Sequence, residues 1–221
     1  IGYTAGRNST GNNNVSVGHG AGLGVDGTST FANTVAVGYQ ALTALTTGTG
    51  NTAVGYSSNN TTTSGSSNTV IGYEAISGTV SNNNTVVGYQ AGFNHTTGYG
   101  NSTYVGYKAG SGFSGDDDQC VMIGSQAGES NMGAYGVGVG FQANYNTSGY
   151  GIVGVGRESN RTNSGAYSIG VGWRAGYNSN GENAIRIGKQ SGETSTGANT
   201  IAIGAESLKI TTADNTVAVG Y

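Results

Sequence analysis

The sequence predicts an all-β chain, a parallel β-solenoid (β-roll) of about fourteen short coils. Three observations predict it. One apolar phrase recurs along the whole chain, its hydrophobic positions alternate with period 2, and turn-forming residues bound each copy. The phrase reads "NTVAVGYQAL" at residues 33–42 and returns as "NTAVGYSSN", "NTVIGYEAI", "NTVVGYQAG", "NTIAIGAES" and "NTVAVGY".

The copies align on a glycine that follows Val or Ile: Gly2, Gly18, Gly38, Gly55, Gly72, Gly88, Gly106, Gly124, Gly140, Gly156, Gly172, Gly188, Gly204 and Gly220. The intervals are 16, 20, 17, 17, 16, 18 and 18, followed by six of 16. Numbered from this glycine, position −3 is always Val, Ile or Thr, and position −1 is always Val or Ile. Position +1 is mostly aromatic, +2 usually Gln or Glu, and +3 always Ala or Ser. Positions −3, −1, +1 and +3 share one parity, so an extended chain points them to one face, read as the coil interior. The unvarying glycine marks either a positive φ or a backbone approach too close for a Cβ. Small residues at +3 mark a second tight position. Gly-, Asn-, Ser- and Thr-rich connections close each coil, and coils stacked at about 4.8 Å predict a rod on the order of 60 Å long.

Composition agrees. The 221 residues include 43 Gly, no Pro and only 9% charged residues, with Leu confined to Leu23, Leu42, Leu45 and Leu208, which leaves little material for helices. Val and Ile at fixed positions argue against disorder. A net charge of −3 supplies no basic surface for nucleic acid, and no apolar run approaches a membrane span. One cysteine, Cys120, excludes an internal disulfide framework. The chain opens inside a phrase, "IGYTAG", and residues 1–221 are read as a single repeat domain, a segment of a longer fibrous protein.

Two β-branched side chains and one Ala per coil are little apolar surface against the entropy of ordering sixteen residues. The chain is therefore expected to associate with itself. The −2 positions (Ala36, Ala53, Val70, Val86, Gly138, Gly154, Gly170, Ala202, Ala218) are the expected interchain face.

"NTVAVGYQA" and "NTIAIGAES" resemble the YadA-like head repeats of trimeric autotransporter adhesins. They resemble still more the "NTAVGYQAL…TTG…NTAVGY" arrays of repeat-containing phage tail-fibre proteins. The resemblance spans essentially the whole chain. It implies a left-handed parallel β-roll, three identical chains side by side, and a non-enzymatic extracellular role in host or surface attachment. A phage tail-fibre shaft or receptor-binding region is the first reading. The head of a bacterial adhesin, or a purely structural surface filament, is the alternative. The units of 17, 18 and 20 residues depart from the shorter head repeat and predict bulging loops in the N-terminal half.

No catalytic residue is assigned. His19 replaces the aromatic at +1, His95 lies in the connection "FNHTTG", and no third group orients either as a base. The glycine-rich runs lack the context of a phosphate loop, and no cofactor is expected. "SGDDDQC" holds the only charge cluster. Asp116, Asp117 and Asp118 could gather a calcium ion from three chains, but adjacent residues of an extended chain alternate sides, which favours a solvated acidic loop. Receptor contacts, to a cell-surface glycan or protein, are assigned to the +1 column (Tyr39, Tyr56, Tyr73, Tyr89, Tyr107) and to Phe31 and Phe113 in the long connections. Stacking of the column on itself is the competing, structural reading.

Overall fold

The computed structural model describes residues 1–113, 119–131 and 133–221. The chain forms two compact units, Ile1–Gly112 and Phe113–Tyr221. The first contains β1 (Val15–Val17), β2 (Val35–Val37), β3 (Thr52–Val54), β4 (Thr69–Ile71), β5 (Gly78–Val80), β6 (Thr85–Val87), β7 (His95–Tyr99) and β8 (Thr103–Val105). The second contains β9 (Val121–Ile123), β10 (Val137–Val139), β11 (Val153–Val155), β12 (Ile169–Val171), β13 (Ile185–Ile187), β14 (Ile201–Ile203) and β15 (Val217–Val219). All described secondary structure is β.

Thirteen strands carry the repeat, one per coil, and pair in parallel with like positions opposed. β1-β2-β3-β4-β6-β8 follow one another in the first unit, and β9 to β15 follow chain order in the second. Ala36 faces Ala53, Ala53 faces Val70, and Gly154 faces Gly170. This is a β-solenoid. The strand count is one short of the glycine count because only Ile1 precedes Gly2. β5 and β7 form a separate parallel pair, so the stretch "FNHTTG", expected to be a plain connection, contributes strand backbone.

Both explanations for the repeat glycine hold together. All fourteen have φ between 125° and 143°, a region closed to residues with a Cβ. In each coil from Gly18 to Gly88 and from Gly124 to Gly204, a Cβ would also lie within 2.7 Å of the next repeat glycine's carbonyl oxygen. A second glycine column, seven residues earlier (Gly48, Gly133, Gly149, Gly165, Gly181), approaches the following coil as closely. Beyond the first glycine the chain alternates right- and left-handed residues. Gln40 and Leu42, for instance, have φ of 53° and 52°. Their amides are the reward for that strain: Gln40 N donates to the His19 carbonyl in the coil before (2.8 Å), and Leu42 N to the Ser58 carbonyl in the coil after (3.0 Å).

The observed interior inverts the expected one. Parity runs from −3 through the glycine to +1, with −3, −1 and +1 all outward, and breaks at the left-handed residue +2, as at Gln40. The −2 residues, expected to face another chain, fill the core: Ala36, Ala53, Val70, Val86, Tyr104 and Met122 are fully buried. The +3 residues join them, with Ala41, Ala75, Ala91, Ala109, Ala127, Ala143 and Ala175 fully buried. The β-branched −3 and −1 residues point outward. Ile71, Ile123, Ile187 and Ile203 are 37–40% exposed. A coil encloses a narrow space, in which a large residue such as Tyr104 or Met122 has glycine as its neighbour.

That space is shared by positions −2 and +4. In most coils, where one is large the other is small: Ala36 with Leu42, Tyr104 with Gly110, Met122 with Gly128, Gly138 with Asn144, Ala202 with Leu208; Val70 with Ile76 is an exception. A Cβ on Gly110 would strike the Tyr104 ring, and one on Gly128 the Met122 sulfur. At position −4, Asn51, Asn68 and Asn84 form a buried amide ladder. Asn68 Nδ2 donates to Asn51 Oδ1 (3.1 Å) and Asn84 Nδ2 to Asn68 Oδ1 (3.0 Å), and each Oδ1 also accepts the next asparagine's backbone N–H.

Gly72→Ala, which meets both a forbidden φ and the Gly88 backbone, should destabilise the first unit by about 3 kcal/mol or more. Thermal unfolding measures this. Asn68→Leu leaves buried amide groups unpaired and should cost about 2 kcal/mol in the same assay.

Candidate functional site

The outward side of the coils carries parallel columns of like residues, placed there by the same glycine. Each strand sends its −3 and −1 side chains out, forming a Val/Ile/Thr stripe in each unit, and the residue after the glycine stands beside it. In the first unit these +1 residues stack into a ladder of seven rings: Tyr3, His19, Tyr39, Tyr56, Tyr73, Tyr89 and Tyr107. Centroids are 5.0–5.5 Å apart and planes differ by 7–27°. His19 is a member of this ladder.

Stacking decides what the column can offer a ligand. The rings of Tyr39 to Tyr107 are 42–48% exposed, but their flat faces are covered by neighbours. Edges and hydroxyls face outward, so the column presents a row of phenols in place of sugar-stacking platforms. The charge of Glu74, with burial and the neighbouring tyrosines, raises the Tyr73 pKa above its usual 10.0. Phe31 and Phe113, the other two assigned receptor contacts, are fully buried. Each fills the coil interior, Phe31 beside Gly22 and Gly24, so neither meets a receptor in this fold. Asp116, Asp117 and Asp118 lie outside the described residues. Cys120 is buried, its sulfur 3.9 Å from the Gly133 carbonyl, which withdraws it from a disulfide with another copy.

In the second unit the +1 column alternates aromatic and cation. Arg157 lies 5.7 Å from the Phe141 ring centre and Lys189 5.3 Å from that of Trp173. At +5, Arg161 sits between Tyr145 (5.0 Å) and Tyr177 (5.6 Å) and donates to the Tyr177 hydroxyl (2.8 Å). These cations were not singled out in the sequence, although Phe141, Arg157, Trp173 and Lys189 succeed one another at sixteen-residue steps. Between the columns runs an ion-pair chain. Glu158 accepts from Arg157 (3.0 Å) and Arg174 (2.8 Å), while Glu193 faces Arg174 (3.3 Å) and Lys209 (3.6 Å). Burial works against the Glu158 carboxylate, yet the hydrogen bonds from Arg174 and Arg157 outweigh it and hold its pKa below 4.5.

Among the described residues there is no pocket and no group of three or more His, Cys, Asp and Glu able to hold a metal ion. In each unit these residues make a surface of periodic columns.

Tyr56→Ala, losing two ring contacts, should cost the first unit about 1–3 kcal/mol in thermal unfolding. The depressed Glu158 pKa contributes stability that is fully present above the unfolded value of 4.5 and lost as pH falls through the lower folded value. Unfolding temperature plotted against pH should therefore fall less steeply below pH 4.5 in Glu158→Gln than in the unsubstituted chain.

No protein-family model matches the chain, and no curated protein matches its sequence.

Proposed function

We propose that this chain is a rigid, non-enzymatic segment of an extracellular attachment fibre, a phage tail-fibre shaft or receptor-binding region. It works as a homotrimer of left-handed coils. The observation that carries the reading is the stripe of outward Val, Ile and Thr residues, repeated strand after strand. A contiguous apolar surface of this kind is ordinarily covered by a partner. A partner that matches it must share its axial repeat of one strand spacing, and a second copy of the chain does so by construction. The interchain face thus moves from the −2 residues to the −3 and −1 residues.

The Tyr ladder and the aromatic–cation columns, beside that stripe, supply polar edges for a cell-surface glycan or protein receptor. Support from sequence is the likeness of "NTVAVGYQAL" to phage tail-fibre arrays. The head of a trimeric bacterial adhesin is the second reading. It is favoured by the second unit alone, where successive coils hold uniformly to sixteen residues and "NTIAIGAES" resembles the head repeat.

Light scattering should give a mass of three 22.0 kDa chains. Ile71→Lys combined with Ile187→Lys should keep the β circular dichroism and shift the mass to one chain. A folded monomer of the unsubstituted protein contradicts self-association. Depletion of the labelled trimer by intact bacteria tests attachment, and no depletion leaves only the structural filament.

A further inference from the structure

Arg186 is the one charged residue in the interior column of −2 positions. It occupies the centre of β13, pairs with Gly170 and Ala202, and is fully buried. Its course is traced by the glycines around it. A Cβ on Gly176 would lie 3.3 Å from its Cδ, one on Gly192 2.7 Å from its Nε, and one on Gly181 3.1 Å from its Nη2. The side chain therefore crosses the coil from the turn after β13 toward the connection before it.

The guanidinium is under-satisfied there. Nη2 reaches only the Gly181 carbonyl, at 3.5 Å, and that oxygen already accepts the Ser168 hydroxyl at 3.0 Å. Nε and Nη1 have no hydrogen-bond partner among the described residues. Among the described residues, no carboxylate answers the charge. Glu193 is engaged by Arg174 and Lys209, Glu206 by Lys209, and Glu182 is exposed. Ser195, in the same coil, is buried with an unpartnered hydroxyl. Burial brings the Arg186 pKa down to about 10, so the group remains a cation at neutral pH.

A buried cation without a counter-charge is strongly unfavourable, and water can solvate it without neutralising it. We propose that the coil interior at Arg186 binds a small monovalent anion of the chloride class, held at the edge of the guanidinium that carries the unpartnered Nε–H. Gly176, Gly181 and Gly192 lie close against the side chain, and so confined a space suits a monatomic ion better than phosphate or a carboxylate-bearing metabolite. The anion would be a structural ligand of the second unit, whatever the fibre attaches to.

The test is the unfolding temperature of the full chain in sodium chloride and in sodium gluconate at equal ionic strength. Above the dissociation constant, each tenfold rise in chloride should raise it by about 3–5 °C, and gluconate should not. Arg186→Met removes the charge and keeps an apolar filler. It should abolish the chloride dependence and be more stable than the unsubstituted protein without chloride. Equal unfolding temperatures in the two salts, or an undiminished chloride effect in Arg186→Met, would overturn the proposal. Crystals grown in bromide give a check that needs no variant: an anomalous peak within hydrogen-bonding distance of Arg186 supports the site, and none there contradicts it.

Discussion

The fold depends on one backbone contact, glycine against glycine from coil to coil. With no Cβ at either position, the carbonyl of each repeat glycine can approach the Cα of the one before, and the φ of 125–143° at that point turns the chain through a region other residues avoid. Three consequences follow from the same few atoms. Strands stack in register at the parallel spacing. The residue at +1 stands above its equivalent, close enough for rings to stack at 5.0–5.5 Å. Past the turn the chain bends inward, so Ala at +3 faces the residue at −2 inside while Val and Ile stay outward.

Inside so thin a coil, packing is a matter of shared volume. Leu42 needs Ala36, Tyr104 needs Gly110, and Met122 needs Gly128. Left-handed residues, unfavourable alone, are held by amides bonded alternately to the coil before and the coil after. The buried asparagines extend that logic to side chains, each supplying what the next coil's backbone lacks. Arg186 follows that sharing of volume, being large beside Gly192, but is the one charged residue of its column.

The repeat, its strands, the glycine turn and the aromatic stack were legible in the sequence because each is a local constraint repeated along one chain. The coil interior was misread for a physical reason. Period-2 alternation says which residues share a face but not which face is the interior, and it ends at the left-handed residues after the glycine, such as Gln40 and Leu42. Hydrophobicity then reinforced the error, since Val and Ile are ordinarily inside. The compensation between −2 and +4 was present in the sequence and would have identified the interior: pairs such as Tyr104 with Gly110 covary within one molecule. Phe31 and Phe113 were misjudged because long connections are usually surface loops, whereas here each returns an aromatic ring to the core. The alternation of Arg157 and Lys189 with Phe141 and Trp173 is readable only once +1 is known to be a stacked column.

An inside of small residues and an outside of branched ones gives a thin coil whose stickiest surface is repeated at every strand, the property an extended, self-associating fibre uses. The most direct test lies in two neighbouring residues of β6, Val86 and Val87, which the account places on opposite sides of one strand. Thermal unfolding of Val86→Lys should show the cooperative transition of the first unit abolished, and that of Val87→Lys should show it retained. A transition that survives lysine at 86 but not at 87 would contradict the inward and outward assignment on which everything else rests.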